Sequence, residues 1–177
     1  MSHTKKLTLS AMFLALALVL PFLTGQIPEV GSMLCPMHLP ALLCGFFCGA
    51  PWGLLVGFTA PILRSVLFGM PPMFPVAVSM AFELATYGVV AGILYARLPR
   101  KTGSIYTSLL TAMVTGRLVW GFVRLLLANF DVTQFSLAMF WSGAVTTALP
   151  GIIVQLILVP VLVLTLRKYT QTGALSE

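Results

Sequence analysis

Long apolar runs make up most of the chain, and the short segments between and flanking them hold most of its prolines and charges. The runs do not alternate apolar and polar residues, as strands of a spanning barrel would. They are apolar throughout, and most approach the roughly 20 residues a helix needs to cross a bilayer core of about 30 Å. Six spans are expected, over residues 7–24, 38–49, 52–68, 76–98, 104–128 and 139–166. The first break, Gln26–Met37, contains Pro28, Glu29, Gly31 and Pro36. A tight turn at Gly49-Ala50-Pro51 separates the short second span from the third. Gly69–Pro75 is too rich in proline to continue a helix. Arg97–Lys101 and Asn129–Leu137 supply the remaining breaks, and the first turns of the last span are expected in the interface around Trp141.

Composition agrees with this pattern. Of 177 residues, 59% are hydrophobic and 8% charged, against about 25% charged in soluble domains, and the mean hydropathy is +1.02. The expected fold class is an all-α membrane protein, a single domain over 1–177 built as a compact bundle of six transmembrane helices. The net charge of +6 is not a nucleic-acid footprint, because the surplus sits at span ends and within spans. Lys5, Lys6, Arg97, Arg100, Lys101, Arg167 and Lys168 all fall on one side of a six-span topology, together with both termini. Glu29 and Asp131 fall on the other. The positive-inside rule makes the basic side, and both termini, cytoplasmic, so a multi-pass place in the cell membrane follows. A leader peptide over the first span lacks a small-x-small cleavage site at Thr24-Gly25-Gln26. Cys35, Cys44 and Cys48 are read as small buried apolar residues, since Cys44 and Cys48 lie one helical turn apart and form no CxxC pair.

Four charges lie inside the spans: Arg64, Glu83, Arg117 and Arg124. Each costs roughly 2.5–3.5 kcal/mol to insert, so stability does not explain all four. Arg117 and Arg124 are seven residues apart with Trp120 between them on the same face, and Glu83 and Tyr87 share a face one turn apart. Two readings stand. In one, a Glu83–Arg pair pins two helices and the other arginines snorkel outward. In the other, these groups line a polar pocket open to the outside, where Tyr87, Trp120 and Trp141 stack on a flat ring. Gln155, with Thr146 and Thr147, adds neutral hydrogen bonds or acts as helix–helix glue. His38 opens the second span, as a capping or interfacial residue or as part of the site. No metal-ligand set, catalytic constellation or phosphate-binding loop appears, and no cofactor is implied. Uphill transport would therefore draw its energy from a partner. Gly45, Gly49, Gly53 and Gly57 recur every fourth residue, a spacing that lets helix backbones meet, and Ala11 and Ala15 form a similar small pair in the first span.

Taken together, six short spans, the pair Ala11 and Ala15, and the stretch LLCGFFCGAPWGLLVG over Leu42–Gly57 resemble the substrate-binding S component of an energy-coupling factor (ECF) transporter, the vitamin-uptake class. The likeness covers essentially the whole chain. It implies a non-catalytic binder that works with a transmembrane coupling subunit and two cytoplasmic ATPases, in a prokaryotic membrane. It also implies that Ala11 and Ala15 dock on the coupling helices. The ligand site would lie near the outer side, where Glu83, Tyr87, Arg117, Trp120, Arg124 and Trp141 fall, with Arg64, His38 and Gln155 as further candidates. Gln26–Met37 would act as a lid, and the unit would reorient to release its cargo inward. The segments MHLPALLCGF and GMPPMFP look most like members assigned to pyridoxine-type or hydroxymethylpyrimidine-type substrates. His3 stands third rather than second, unlike the cobalt and nickel members. A free-standing secondary transporter is the first rival, disfavoured by the absence of an internal repeat and of a proton relay beyond Glu83. A membrane enzyme or scaffold is the second.

Overall fold

The computed structural model describes residues 2–24, 35–99, 101–128, 140–143 and 147–173, of 24 and 167–173 the backbone only. Residues 26–34 of the expected lid, Glu29 among them, with Arg100, Asp131, Thr146 and the Arg167 and Lys168 side chains, lie outside the described residues. Six α-helices form among the described residues: α1 His3–Val19, α2 His38–Cys48, α3 Ala50–Phe68, α4 Val78–Arg97, α5 Thr102–Ala128 and α6 Leu149–Gly173. Five segments are long and apolar enough to cross a membrane: His3–Leu23, Ala50–Phe68, Met73–Arg97, Thr102–Ala128 and Leu149–Leu166. The protein is an all-helical membrane protein.

Helix α2 is the exception. Its 11 residues rise only about 16 Å, and nine of them are buried. A short helix that is apolar all round belongs to a core, and α1, α3, α4 and α6 pack against α2. Helix α1 starts at His3, ahead of the expected Leu7, because the Ser2 hydroxyl accepts from Lys5 N (3.3 Å) and caps the first turn. It buries the stripe Ser10, Phe13 and Ala17, spaced three and four residues apart as one helical face requires. The apolar run expected as one helix over 139–166 is divided. Thr147 N bonds to Ser142 O (2.8 Å), and α6 begins at Leu149 with Pro150 in its first turn, where a missing N–H costs nothing.

The directions of the helices follow from their contacts. His3 meets Trp52 edge-on at 5.3 Å, and Phe22 meets Phe68 at 5.0 Å, so α1 and α3 run side by side in the same direction. The chain between them must therefore return across the bundle, and α2 forms the last part of that return. Gly49 is the single residue between α2 and α3, and its φ of 93° reverses the chain where a side chain would be strained. Helix α4 runs antiparallel to α3: a Cβ on Gly53 would lie 2.7 Å from the Gly88 carbonyl oxygen, and one on Gly92 would lie 2.8 Å from Ala50 Cα. Gly45 and Gly57 likewise face the backbones of Gly88 and Leu84. Of the four regularly spaced glycines, three let α2 and α3 touch α4, and Gly49 makes the turn. One end of the bundle thus collects Lys5 and Lys6 of α1, Arg97 of α4 and Lys101 before α5.

Candidate functional site

A buried cluster sits in the half of the bundle away from that basic end, and three helices build it. Helix α4 supplies Glu83, which is 1% exposed. Three groups converge on its Oε1: Arg117 Nη1 from α5 at 3.0 Å, Tyr87 Oη at 3.1 Å, and His38 Nε2 from α2 at 3.3 Å. The Tyr87 contact is local, one turn along α4, and Tyr87 donates. The other two tie α4 to its neighbours. The His38 ring meets the Tyr87 ring edge-on at 5.3 Å, and neither His38 nitrogen has an aligned hydrogen-bond partner among the described residues.

Glycine shapes this cluster too. A Cβ on Gly116 of α5 would overlap the Tyr87 ring and lie 3.2 Å from Glu83 O. Its absence gives the phenol a notch against α5 and brings Arg117, the next residue, up to the carboxylate. On the far side of the guanidinium, Arg117 Nη2 donates to Cys35 Sγ at 3.6 Å. Cys35 holds this position with a φ of 47°, unusual for a residue with a side chain, while its carbonyl accepts from His38 N at 3.0 Å. Cys35 precedes α2 and is buried, and burial is the largest influence on its thiol, raising its pKa above the ordinary value. It therefore meets Arg117 as a neutral thiol. Cys44 and Cys48 pack in the apolar core, as small buried residues should.

The remaining expected site residues divide into two groups. Arg124 and Trp120 continue the α5 face beyond Arg117, with the Arg124 guanidinium 5.9 Å from the Trp120 ring centre. The Trp120 ring lies 6.2 Å from Phe140. Trp141 is 58% exposed, and among the described residues the ring it meets is Phe140, at 6.3 Å, so Phe140 is the ring that faces Trp120. Gly121 and Gly143 leave the room for this pair: a Cβ on Gly121 would strike the Phe140 ring, and one on Gly143 would lie 2.8 Å from Trp120.

Arg64 is placed elsewhere. It is buried, its Nη1 donates to the Leu18 carbonyl of α1, and its guanidinium packs against the Phe22 and Phe68 rings at 4.8 and 5.4 Å. It fastens the end of α1 to α3 and makes no contact with the Glu83 cluster. Gln155 is buried on α6 with its Oε1 lacking a hydrogen-bond partner among the described residues, and no hydrogen bond joins it to Glu83. Ala11 and Ala15 are exposed on α1, on the side away from its buried stripe, so they are not packed within the bundle.

Sequence reading missed Cys35, Phe140 and Gly116. Among the described residues, no group of three or more His, Cys, Asp or Glu is arranged to hold a metal ion.

Among the described residues, the bundle of apolar helices encloses a charged cluster flanked by aromatic rings. The family described as ECF transporter, substrate-specific component, matches residues 5–163. The chain belongs to that family, whose members are membrane substrate-binding subunits of ECF transporters and serve with coupling and ATPase partners. No curated protein and no solved structure matches the chain.

Proposed function

We propose that this protein captures a small vitamin or vitamin precursor from outside the cell and releases it inward by reorienting against a transmembrane coupling subunit, driven by two cytoplasmic ATPases. The observation that carries this reading is the Glu83 cluster, where His38, Tyr87 and Arg117 from three helices meet at one carboxylate oxygen. Buried charge in a membrane is retained where it is used, and this cluster continues along α5 into the Trp120–Phe140 pair, which offers flat faces to a ring. The proposed ligand-binding residues are Glu83, His38, Tyr87, Arg117, Trp120 and Arg124. Cargo of pyridoxine-like or hydroxymethylpyrimidine-like character is the starting expectation. The basic end of the bundle faces the cytoplasm in this proposal, by the positive-inside rule, which places the cluster in the outer half. Ala11 and Ala15, exposed on α1, are the proposed docking face for the coupling subunit.

The test is a ligand panel on the purified subunit, read by thermal shift and native mass spectrometry. It would hold pyridoxine, pyridoxal and its phosphate, hydroxymethylpyrimidine, thiamine, nicotinate, pantothenate, riboflavin and cobalamin. One tight binder, lost when the Glu83 cluster is changed, is the expected result. Binding that persists without the cluster would move the site elsewhere. A free-standing secondary transporter is the second reading, and uptake that continues without any ATPase subunit would establish it.

A further inference from the structure

The hydrogen bonding of Arg117 leaves one edge of its guanidinium underused. A guanidinium offers two forks of paired donors, and the fork formed by Nε and Nη2 matches the two oxygens of a carboxylate or phosphate. Glu83 takes Nη1 through a single oxygen at 3.0 Å, so it does not occupy that fork. Nε is buried with no hydrogen-bond partner among the described residues. The partner of Nη2 is the Cys35 thiol at 3.6 Å, a weak acceptor. A buried donor left unmade is costly, and here it lies directly beside one that is only weakly satisfied. The His38 ring nitrogens also lack an aligned partner, but Nε2 already faces Glu83. Nε and Nη2 of Arg117, by contrast, are adjacent donors that together call for negative charge on the far side of the guanidinium.

We infer that the cargo carries an oxyanion, a carboxylate or a phosphate, which displaces the Cys35 thiol and binds the Nε/Nη2 fork of Arg117 through two oxygens. The inference rests on the proposed substrate-capture function and narrows its cargo to acidic solutes, away from those whose only polar arms are neutral hydroxymethyl groups. Glu83 serves as the counter-charge that holds Arg117 in register. The side chain at position 35 sets how readily the fork opens.

The test compares matched pairs on the purified subunit by isothermal titration calorimetry: nicotinate with nicotinamide, pantothenate with pantothenol, and pyridoxal 5′-phosphate with pyridoxal. The first two pairs report a carboxylate and the third a phosphate. One acidic member is expected to bind about 10- to 100-fold more tightly than its neutral partner, as a charge-assisted bidentate contact predicts. Arg117→Lys keeps the charge opposite Glu83 but lacks the fork, and it should shrink that preference to about threefold or less. Cys35→Ala should retain the preference, since the thiol only occupies the fork in the empty site. A neutral solute bound tightly, with no acid preferred, would overturn the oxyanion while leaving substrate capture standing. An acid preference unchanged in Arg117→Lys would overturn the role of the fork. Binding of none of the six would overturn the oxyanion, while the wider ligand panel decides substrate capture.

Discussion

Replacing Glu83 separates a ligand site from a helix brace only if its partner is replaced with it. The Arg117–Glu83 pair spans 3.0 Å and both side chains are largely buried, 15% and 1% exposed. At an effective permittivity of about 20 the attraction over that distance is roughly 5.5 kcal/mol, offset by the desolvation of both groups. Glu83→Gln removes the counter-charge and leaves the guanidinium with a thiol as its remaining partner among the described residues. Stranding one member of a buried pair costs about 3–5 kcal/mol, and Arg117→Met should cost a similar amount by stranding the carboxylate. The double variant strands nothing. Its cost should fall short of the sum of the two by about 2 kcal/mol or more, well beyond the ~0.5 kcal/mol within which independent sites add. Unfolding in detergent micelles, followed by tryptophan fluorescence for all four proteins, gives the cycle. Additive losses would refute the claim that the two charges hold each other. The same four proteins then divide the functional readings. A ligand site predicts that the double variant regains stability but not binding, whereas a brace predicts that both return.

Three further substitutions probe the frame around the site. Gly88→Ala would put a Cβ 2.7 Å from Gly53 Cα, where only backbone can yield. The expected loss of about 1–3 kcal/mol exceeds the ~1 kcal/mol gained in helix propensity, so a melting temperature equal to or above wild type would contradict the packing. Arg64→Met removes the Leu18 carbonyl contact and both ring contacts. Stability should fall by about 2 kcal/mol while calorimetric affinity stays within about twofold, and a tenfold loss of affinity in the folded variant would return Arg64 to the site. Ala11→Trp or Ala15→Trp should abolish uptake in cells carrying the full transporter yet spare binding by the isolated subunit; uptake surviving in both would remove α1 as the docking face.

The contacts legible in the sequence were those a single helix determines. Glu83 and Tyr87 had to meet because four residues separate them, and Arg117, Trp120 and Arg124 had to share a face. The cost of charge in a membrane singled out the same arginines, but it could not say which one Glu83 would choose. That depends on how α5 is rotated against α4, which Gly116 and the Tyr87 ring determine. Arg64 satisfies the cost in another way, with one carbonyl and two phenyl rings, and its partners Leu18 and Phe22 lie more than forty residues earlier in the chain. The choice between Phe140 and Trp141 turns on a single step of about 100° around a helix. Cys35 reads as apolar in the sequence because thiols usually are, and its contact with Arg117 exists only once the chain has folded.

These placements make the two sides of the cluster mechanically unequal. His38 and Glu83 stand on α2 and α4, and Gly45, Gly53, Gly57, Gly88 and Gly92 bring the backbones of α2, α3 and α4 together with no side chain between them. Backbone contact of that kind has no adjustable part, so the carboxylate side is fixed. Arg117 stands on α5, which meets α4 at the cluster mainly through the Tyr87 ring in the Gly116 notch, beside the Glu83 carbonyl, and through the ion pair itself. Side chains can change rotamer where backbones cannot yield. A ligand that draws on Arg117 therefore acts on the more adjustable side of the site. Binding should register first as a change in how α5 sits against α4, while the glycine-packed helices keep their positions.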